Sequence, residues 1–191
     1  MSIRLDGDPR RDQILQAALA VFARYGFKRA TMEDVASEAG ISRPALYQSY
    51  ENKAAIFAAL AVALGQASCD AAEASWPAEL PFHEGLAAAG LALHGALWQA
   101  IHTSPHGAEL MATNSALVGD VVAAVDSRMQ ALVQARLAPL IEAERVPVQA
   151  RAITAALQGI KASATSFEDL ALLTTQFARL IGAGLTAQSR V

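Results

Sequence analysis

The segment TMEDVASEAGISRPALYQSYENK, from Thr31 to Lys53, decides how this chain is built. Thr31 and Asp34 have the spacing of a capping box, which predicts the start of a short helix. Gly40 ends that helix, and Ser42 is placed to cap a second one almost at once. Two short helices joined by a three- or four-residue turn that contains glycine must cross steeply. The segment therefore has the spacing of a helix-turn-helix.

The second of these helices carries polar side chains where a core helix would carry an apolar stripe. It ends near Ser49 and is only about 10 Å long at about 1.5 Å per residue. Arg43, Tyr47, Gln48 and Ser49 are the side chains that we expect it to expose. A short helix with such a face fits a DNA major groove, where forked donors and acceptors read the edges of guanine and adenine.

Lys53 is unusual on helix grounds alone, because a cation in the first turn opposes the helix dipole. A phosphate bound by the lysine and by the free N–H groups of that turn would remove the conflict. A merely solvated lysine is the alternative. Tyr50 also has two readings, as a hydroxyl that contacts phosphate or as a core aromatic residue.

Outward from this segment, the apolar spacing predicts helices along the whole chain. An earlier helix runs over about 10–25, with Gly26 in a left-handed conformation at its end. Pro139 should kink or shorten the helix in which it lies. The full prediction is about nine helices in an all-α fold, over 10–25, 31–38, 42–49, 53–76, 82–103, 107–113, 117–144, 148–163 and 167–187. We expect two domains, a three-helix DNA-binding domain over 1–56 and a helical body over 57–191.

Composition agrees with a helical body. Of 191 residues, 53% are hydrophobic and 17% are charged. The net charge of −3 is divided unevenly, with eight Lys/Arg and seven Asp/Glu over 1–56 against seven and eleven over 57–191. The single cysteine, Cys69, forms no internal disulfide, and no leader segment is recognisable, so we expect a cytoplasmic protein.

Membrane, metal and enzyme functions find little support. The uncharged stretch 85–108 is long enough to raise the question of a membrane span, but its histidines, glycines and proline favour a buried soluble helix. His94 and His102 are about 12 Å apart along a helix, too far to share an ion. The sequence has no cysteine cluster, glycine-rich phosphate loop or serine elbow, so we expect no metal, no cofactor and no enzymatic activity.

The stretch from Arg11 to Phe57 closely resembles the DNA-binding domain of the TetR family. The residues that carry the resemblance are Ile14, Leu15, Ala18, Phe22, Gly26, Thr31, Val35-Ala36, Ala39-Gly40-Ile41-Ser42, Leu46-Tyr47, Tyr50 and Lys53. Tyr50 stands where the family usually has phenylalanine, and Ala54-Ala55 replaces a frequent acidic-apolar pair. The resemblance covers about a quarter of the chain, and the helical pattern of the remainder fits the family's two-domain, nine-helix build.

The resemblance implies an operator-binding surface in the domain over 1–56. It also implies that the body over 57–191 is a ligand-binding and dimerisation domain. The implied DNA contacts are Lys28, Arg29, Thr31, Ser42, Arg43, Pro44, Tyr47, Gln48, Tyr50 and Lys53. Arg4, Arg10 and Arg11 could reach a minor groove, although a solvated tail is the alternative for Arg4. The last two helices would pair with those of a second subunit as a four-helix bundle, through Ala152, Ala156, Gly159, Ser163, Leu170, Leu173, Phe177, Leu180, Ile181 and Gly184.

A largely apolar small molecule would bind inside the body, with Trp76, His94, Trp98, His102, Met111 and Asn114 as pocket candidates. For each of these residues a core position is the alternative. The prediction is then a homodimeric repressor that the ligand releases from a near-palindromic operator. A second hypothesis, from another class, is a helix-turn-helix that serves as a protein-interaction corner without DNA function.

Overall fold

A computed structural model of the chain describes residues 8–106 and 118–188, and every structured segment in these ranges is helical. The α-helices are α1 (Pro9–Arg29), α2 (Met32–Glu38), α3 (Arg43–Tyr47), α4 (Lys53–Ala74), α5 (Phe82–Thr103), α6 (Gly119–Leu137), α7 (Val146–Ser163) and α8 (Phe167–Gln188). A short 3₁₀ helix, Ala143–Arg145, precedes α7. The all-α prediction is confirmed, with eight α-helices in the described ranges. The helix predicted over 107–113 lies outside them.

The N-caps predicted from the sequence begin α2 and α3. Thr31 caps α2 in a complete capping box with Asp34, and the Ser42 hydroxyl accepts a hydrogen bond from the Ala45 N–H at the start of α3. Gly26 does have positive φ, at 77°. Its ψ of 160° is not helical either, so the regular helix breaks at Gly26, and a further helical turn continues to Arg29. The prediction that the first regular helix ends near Tyr25 is therefore confirmed.

Pro139 accounts for the largest boundary error. The sequence predicted one helix over 117–144, with a kink or an early end at the proline. The helix α6 ends at Leu137, and the N–H groups of Leu140 and Ile141 turn back to the Leu137 carbonyl at 2.8 and 3.3 Å. Because proline at 139 cannot continue the hydrogen-bond ladder, the early end is the outcome.

One compact unit consists of residues 8–67, 99–106 and 118–122 of the described chain. Its core is built mainly by α1 to α4, and Phe22, Phe27 and Phe57 pack there with ring centroids 5.1 to 5.7 Å apart. The fully buried residues of this core include Ile14, Ala18, Val35, Leu46 and Ile56. The Ser104 hydroxyl at the end of α5 donates to the Ala23 carbonyl at 3.0 Å.

The other compact unit consists of residues 68–98 and 123–188 of the described chain. Trp76 lies at its centre, 1% exposed, with its ring edge-on to Phe82 and so close to Gly85 that no larger residue fits there. The Arg128 guanidinium on α6 donates hydrogen bonds to two carboxylates near the end of α4, those of Glu73, at 2.7 and 2.8 Å, and of Asp70, at 2.6 Å. These contacts hold α4, α5 and α6 of this unit together.

Among the described helices, α4 is the one whose length and composition would suit a membrane span, with a mean hydropathy of 1.5. The sequence raised the question for 85–108 instead, and that stretch was interpreted as a buried soluble helix. Apolar residues of α4, namely Ile56, Phe57 and Leu60, are buried in the first unit's core. A helix that contributes its apolar face to a protein core has the same composition.

Candidate nucleic-acid interface and associated sites

One face of the short helix α3 is buried in the core of the first unit, and the opposite face is exposed. Leu46 is fully buried in the core of the first unit and anchors the helix. Gly40, with φ at 66°, makes the turn that brings α3 against α2, and the N–H of Ile41 donates to the Ala36 carbonyl at 3.0 Å. The remaining face exposes Ser42, Arg43, Pro44, Tyr47 and Gln48. A rigid support thus presents a polar surface.

Two side chains of this surface lie against each other. The Arg43 guanidinium sits over the Tyr47 ring, 5.6 Å from its centroid, and its Nη1 is 3.9 Å from Glu33 Oε2. Tyr47 remains 43% exposed. Exposed contacts of this kind contribute about 0–1 kcal/mol each, so both side chains are free to rearrange on a ligand at small cost.

The Thr31 hydroxyl is already hydrogen-bonded within the protein. It donates to Asp34 Oδ2 at 2.6 Å and accepts from the Asp34 N–H at 3.1 Å, while the Thr31 N–H donates to the same carboxylate oxygen at 2.9 Å. These bonds lower the pKa of Asp34, the hydroxyl contributing most. Lys28 and Arg29 are exposed at the end of α1.

Lys53 has a different role from the one that the sequence suggested. Its ammonium donates to three carbonyl oxygens at the end of α1 and just beyond it, those of Phe27 at 2.8 Å and of Lys28 and Ala30 at 2.9 Å. The Phe27 ring lies beneath it, with its centroid 5.0 Å from Nζ. The cation that opposes the dipole of α4 therefore stabilises the negative end of α1. With three donors and three acceptors, the ammonium has no donor left for a phosphate.

Tyr50 is a core residue, which corrects its assignment as a DNA contact. It is 5% exposed and packs in the first unit's core. Its hydroxyl accepts a long hydrogen bond of 3.4 Å from Arg11 Nε, whose guanidinium also lies over the ring. Arg10 donates to the Ala45 carbonyl of α3 at 3.3 Å. Sequence reasoning missed that these two arginines connect the start of α1 to α3 and to Tyr50 just after it.

The predicted dimer surface is mostly exposed along α7 and α8. Ala152, Gly159 and Ser163 on α7, and Leu173 and Gly184 on α8, are exposed. A Cβ added to Gly159 or Gly184 would meet no atom within 4 Å. Leu180, exposed at 72%, and two apolar residues that the prediction did not include, Val148 at 62% and Leu172 at 58%, extend this surface.

Leu170 is the exception and must be removed from the predicted interface. It is 1% exposed because it packs in a small cluster with Trp98 and Ala164 inside its own unit. Ala156, Phe177 and Ile181 are half-buried, and the last two pack against the second core. Only the exposed parts of these three side chains can contact a partner subunit.

The predicted pocket residues are dispersed. Trp76, His94 and Trp98 are buried, whereas His102 is exposed, and Met111 and Asn114 lie outside the described residues. Trp76 is a core residue and no longer a pocket candidate. A shallow groove beside Cys69, Glu73, Leu93 and Arg128 contains none of the predicted pocket residues. Within the described chain, no three His, Cys, Asp or Glu side chains converge as metal ligands.

His94 stands apart from the other candidates. It is 8% exposed, and among the described residues none forms a hydrogen bond with it. Burial, and to a lesser degree the Lys161 ammonium, lowers its pKa to about 4. His94 is therefore neutral at pH 7, with donor and acceptor capacity that the protein does not use.

Comparison with known proteins identifies a family match within the first unit. Residues 14–60 match the family described as bacterial regulatory proteins, tetR family. The HTH-type transcriptional activator FasR of Mycolicibacterium smegmatis is 42% identical over 57 residues, 30% of this chain and 26% of that protein. The probable acrEF/envCD operon repressor of Escherichia coli K12 is 36% identical over 47 residues, 25% of this chain and 21% of that protein. The matched segment thus spans about a quarter of these relatives.

Solved structures extend the likeness over nearly the whole chain. A TetR-like transcriptional regulator from Rhodococcus sp. RHA1 has a TM-score of 0.63 and 26% identity, covering 95% of this chain and 100% of its own. A second Rhodococcus regulator, 19% identical with a TM-score of 0.70 over 91% of this chain and 96% of its own, shares the fold. Residues 14–60 therefore belong to the tetR family of bacterial regulatory proteins, and the chain as a whole has the fold of a TetR-like transcriptional regulator.

Proposed function

We propose that this protein is a homodimeric, cytoplasmic transcriptional regulator that binds a near-palindromic operator through α3. The observation that carries the proposal is the exposed polar face of α3 on its buried Leu46 anchor. A helix held this way can present its side chains to a major groove without moving its backbone. Symmetric binding by two copies would make the operator near-palindromic.

The exposed residues divide by chemistry into base and phosphate contacts. Arg43 and Gln48 carry the forked groups that recognise guanine and adenine, and Tyr47 offers a hydroxyl to phosphate. Ser42 and Pro44 lie beside them at the start of α3, and Lys28, Arg29 and Thr31 would follow the DNA backbone. Arg43 must leave Tyr47 and Glu33 to reach a base, and these exposed contacts are weak enough to allow it.

The first experiment is selection of bound duplexes from a random DNA pool, followed by affinity for the selected duplex across salt concentrations. We expect a near-palindromic motif and a log-log salt slope of about −6 to −10, from phosphates neutralised by two subunits. If the folded protein enriches no sequence, the operator proposal is wrong. The alternative hypothesis, a helix-turn-helix that binds only other proteins, predicts that no DNA sequence is enriched.

A matched pair of variants tests the face of α3. Tyr47 and Tyr25 are 43% and 42% exposed, and each lies 5.6 Å from the guanidinium of a neighbouring arginine. Tyr47→Ala should weaken operator binding at least tenfold, because it removes a DNA contact, whereas Tyr25→Ala should leave it within twofold. Equal effects from the two variants would contradict the assignment.

The direction of regulation is proposed as repression, relieved by a small molecule bound in the helical body. Among the relatives, one is named an activator and another a repressor, so the family alone decides nothing. In transcription in vitro from a promoter that contains the selected operator, repression requires less transcript when protein is added. More transcript would identify an activator. An inducing ligand would lower operator affinity, and the operator would lower ligand affinity by the same factor.

A further inference from the structure

Gln13, near the start of α1, contacts the turn that joins α2 to α3. Its Nε2 donates a half-buried hydrogen bond to the Ala39 carbonyl at 2.7 Å. The two residues are 26 positions apart in the chain, so this is a tertiary contact and not part of the regular bonding of α1. Gln13 is not among the proposed DNA contacts, and any effect that it has on DNA binding must therefore act through this carbonyl.

The Ala39 carbonyl needs a donor from outside the turn. The N–H of Ile41 turns back to the Ala36 carbonyl at 3.0 Å, around Gly40 with its φ of 66°, and this closes the end of α2. Among the described residues, no backbone N–H donates to Ala39. A carbonyl left over at the end of a helix requires a side chain or water as its donor. Gln13 supplies that donor and so fixes the peptide from which the chain continues into α3.

Two arginines from the same end of α1 contact α3 and the residue that follows it. Arg10 Nη2 donates to the Ala45 carbonyl within α3 at 3.3 Å, in an exposed contact. Arg11 Nε donates to the Tyr50 hydroxyl at 3.4 Å. Both bonds are longer than the usual range for N–H donors, which makes the Gln13 bond the best formed of the three. Because α3 has only five residues and few hydrogen bonds of its own, its orientation depends on tertiary contacts such as these.

We propose that Gln13 is a positioning residue for DNA reading, which fixes the orientation of α3 against the bases by holding the Ala39 carbonyl. The inference rests on the proposed function, because it concerns how the same helix is presented to DNA. Base reading requires donors and acceptors in a set geometry, whereas attraction to a phosphate declines gradually with distance. Loss of the bond should therefore reduce selectivity for the operator more than affinity for DNA in general.

Gln13→Met is the test variant, because methionine keeps the length of the side chain and removes the amide. Ser104→Ala is the matched control, since the Ser104 hydroxyl donates to the Ala23 carbonyl of α1, in the same unit, at 3.0 Å. Each variant loses one half-buried hydrogen bond to a backbone carbonyl, so we expect similar decreases in Tm.

Affinities for the selected operator and for a random duplex are measured for both variants, well below their unfolding transitions. Gln13→Met should bind the operator about tenfold more weakly, as expected for one poorly aligned base contact, and should keep its affinity for the random duplex within about twofold. Ser104→Ala should keep both affinities. A variant that had only lost stability would contain less folded protein and would bind both duplexes more weakly by the same factor.

The inference is overturned if Gln13→Met keeps the parent's ratio of operator to random-duplex affinity, or if Ser104→Ala changes that ratio as much. Hydrogen–deuterium exchange without DNA gives a readout that does not depend on the proposed function. Gln13→Met should accelerate exchange over residues 39–46, and Ser104→Ala should not. Unchanged exchange in Gln13→Met would contradict the positioning role. If the parent selects no operator, the proposed function is refuted, while accelerated exchange would still show that Gln13 holds this turn.

Discussion

Lys53 was predicted from sequence to contact phosphate, but in the structure it stabilises the fold. Lys53 gives its three N–H donors to carbonyl oxygens at the end of α1, and thereby ties the start of α4 to the first helix of the same unit. These bonds are charge-assisted, which makes them stronger than neutral ones. Sequence reasoning found that the lysine needed an anionic partner. It could not see that backbone oxygens 23 to 26 residues earlier supply it.

Lys53→Met should therefore act on stability before it acts on DNA. We expect the free energy of unfolding to fall by at least about 1 kcal/mol, because three carbonyls lose their donor, two of them in half-buried hydrogen bonds. Operator affinity should fall with an unchanged salt slope. A lysine that touched phosphate in each subunit would instead reduce the slope by about one per contact. A reduced slope with undiminished stability would restore the phosphate assignment.

Tyr50 and Tyr47 are three residues apart, yet substitution by phenylalanine should separate them. Tyr50→Phe keeps the buried ring and loses only a long hydrogen bond from Arg11, so we expect a loss of less than about 1 kcal/mol and unchanged operator affinity. Tyr47→Phe removes an exposed hydroxyl proposed to touch phosphate, so we expect weaker operator binding at full stability. Thermal unfolding and operator titration of both variants check the assignment. A defect in binding by Tyr50→Phe would contradict its core role.

At the scale of the element, α2 depends on its capping box, and this makes part of its stability sensitive to acid. The pKa of Asp34 lies below its ordinary value because Thr31 hydrogen-bonds the carboxylate. A carboxyl with a depressed folded-state pKa contributes stability that is present above the unfolded pKa and is lost as pH falls through the folded one. Parent and Asp34→Asn should differ in Tm at neutral pH and converge below about pH 4. A difference that persists undiminished to about pH 2 would contradict this account.

Elements were predictable from sequence where the signal is local. Caps at Thr31 and Ser42, the positive φ of Gly26 and the bounds of α5 follow from side chains within a few residues, and all appear in the structure. Placement within the tertiary fold was not predictable in the same way. Leu170 fits an apolar surface strip by spacing, but its burial depends on Trp98, 72 residues earlier in the chain. Periodicity identifies the apolar face of a helix, not what covers it.

At the scale of the whole molecule, the exposed apolar faces of α7 and α8 favour the pairing of two copies of the chain. Leu173, Leu180 and Gly184 recur at helical spacing on α8, and Val148, Ala152 and Gly159 do so on α7. Burying one leucine side chain contributes about 1.5–3 kcal/mol, so a face with several such residues gains by pairing. The open space above both glycines leaves room for the backbone of a second copy to approach.

Leu180→Glu should convert the protein from dimer to monomer, because it places a carboxylate at the most exposed leucine of this face. Leu140→Glu is the matched control, since Leu140 is 47% exposed but lies in the turn after α6. Light scattering at micromolar concentration gives the oligomeric state. The monomer should also bind the full operator at least tenfold more weakly, because linking two half-site contacts supplies much of the affinity. If Leu180→Glu stays dimeric and Leu140→Glu dissociates, the two copies pair through another surface, and the spacing of the two α3 helices on DNA must be sought from that one.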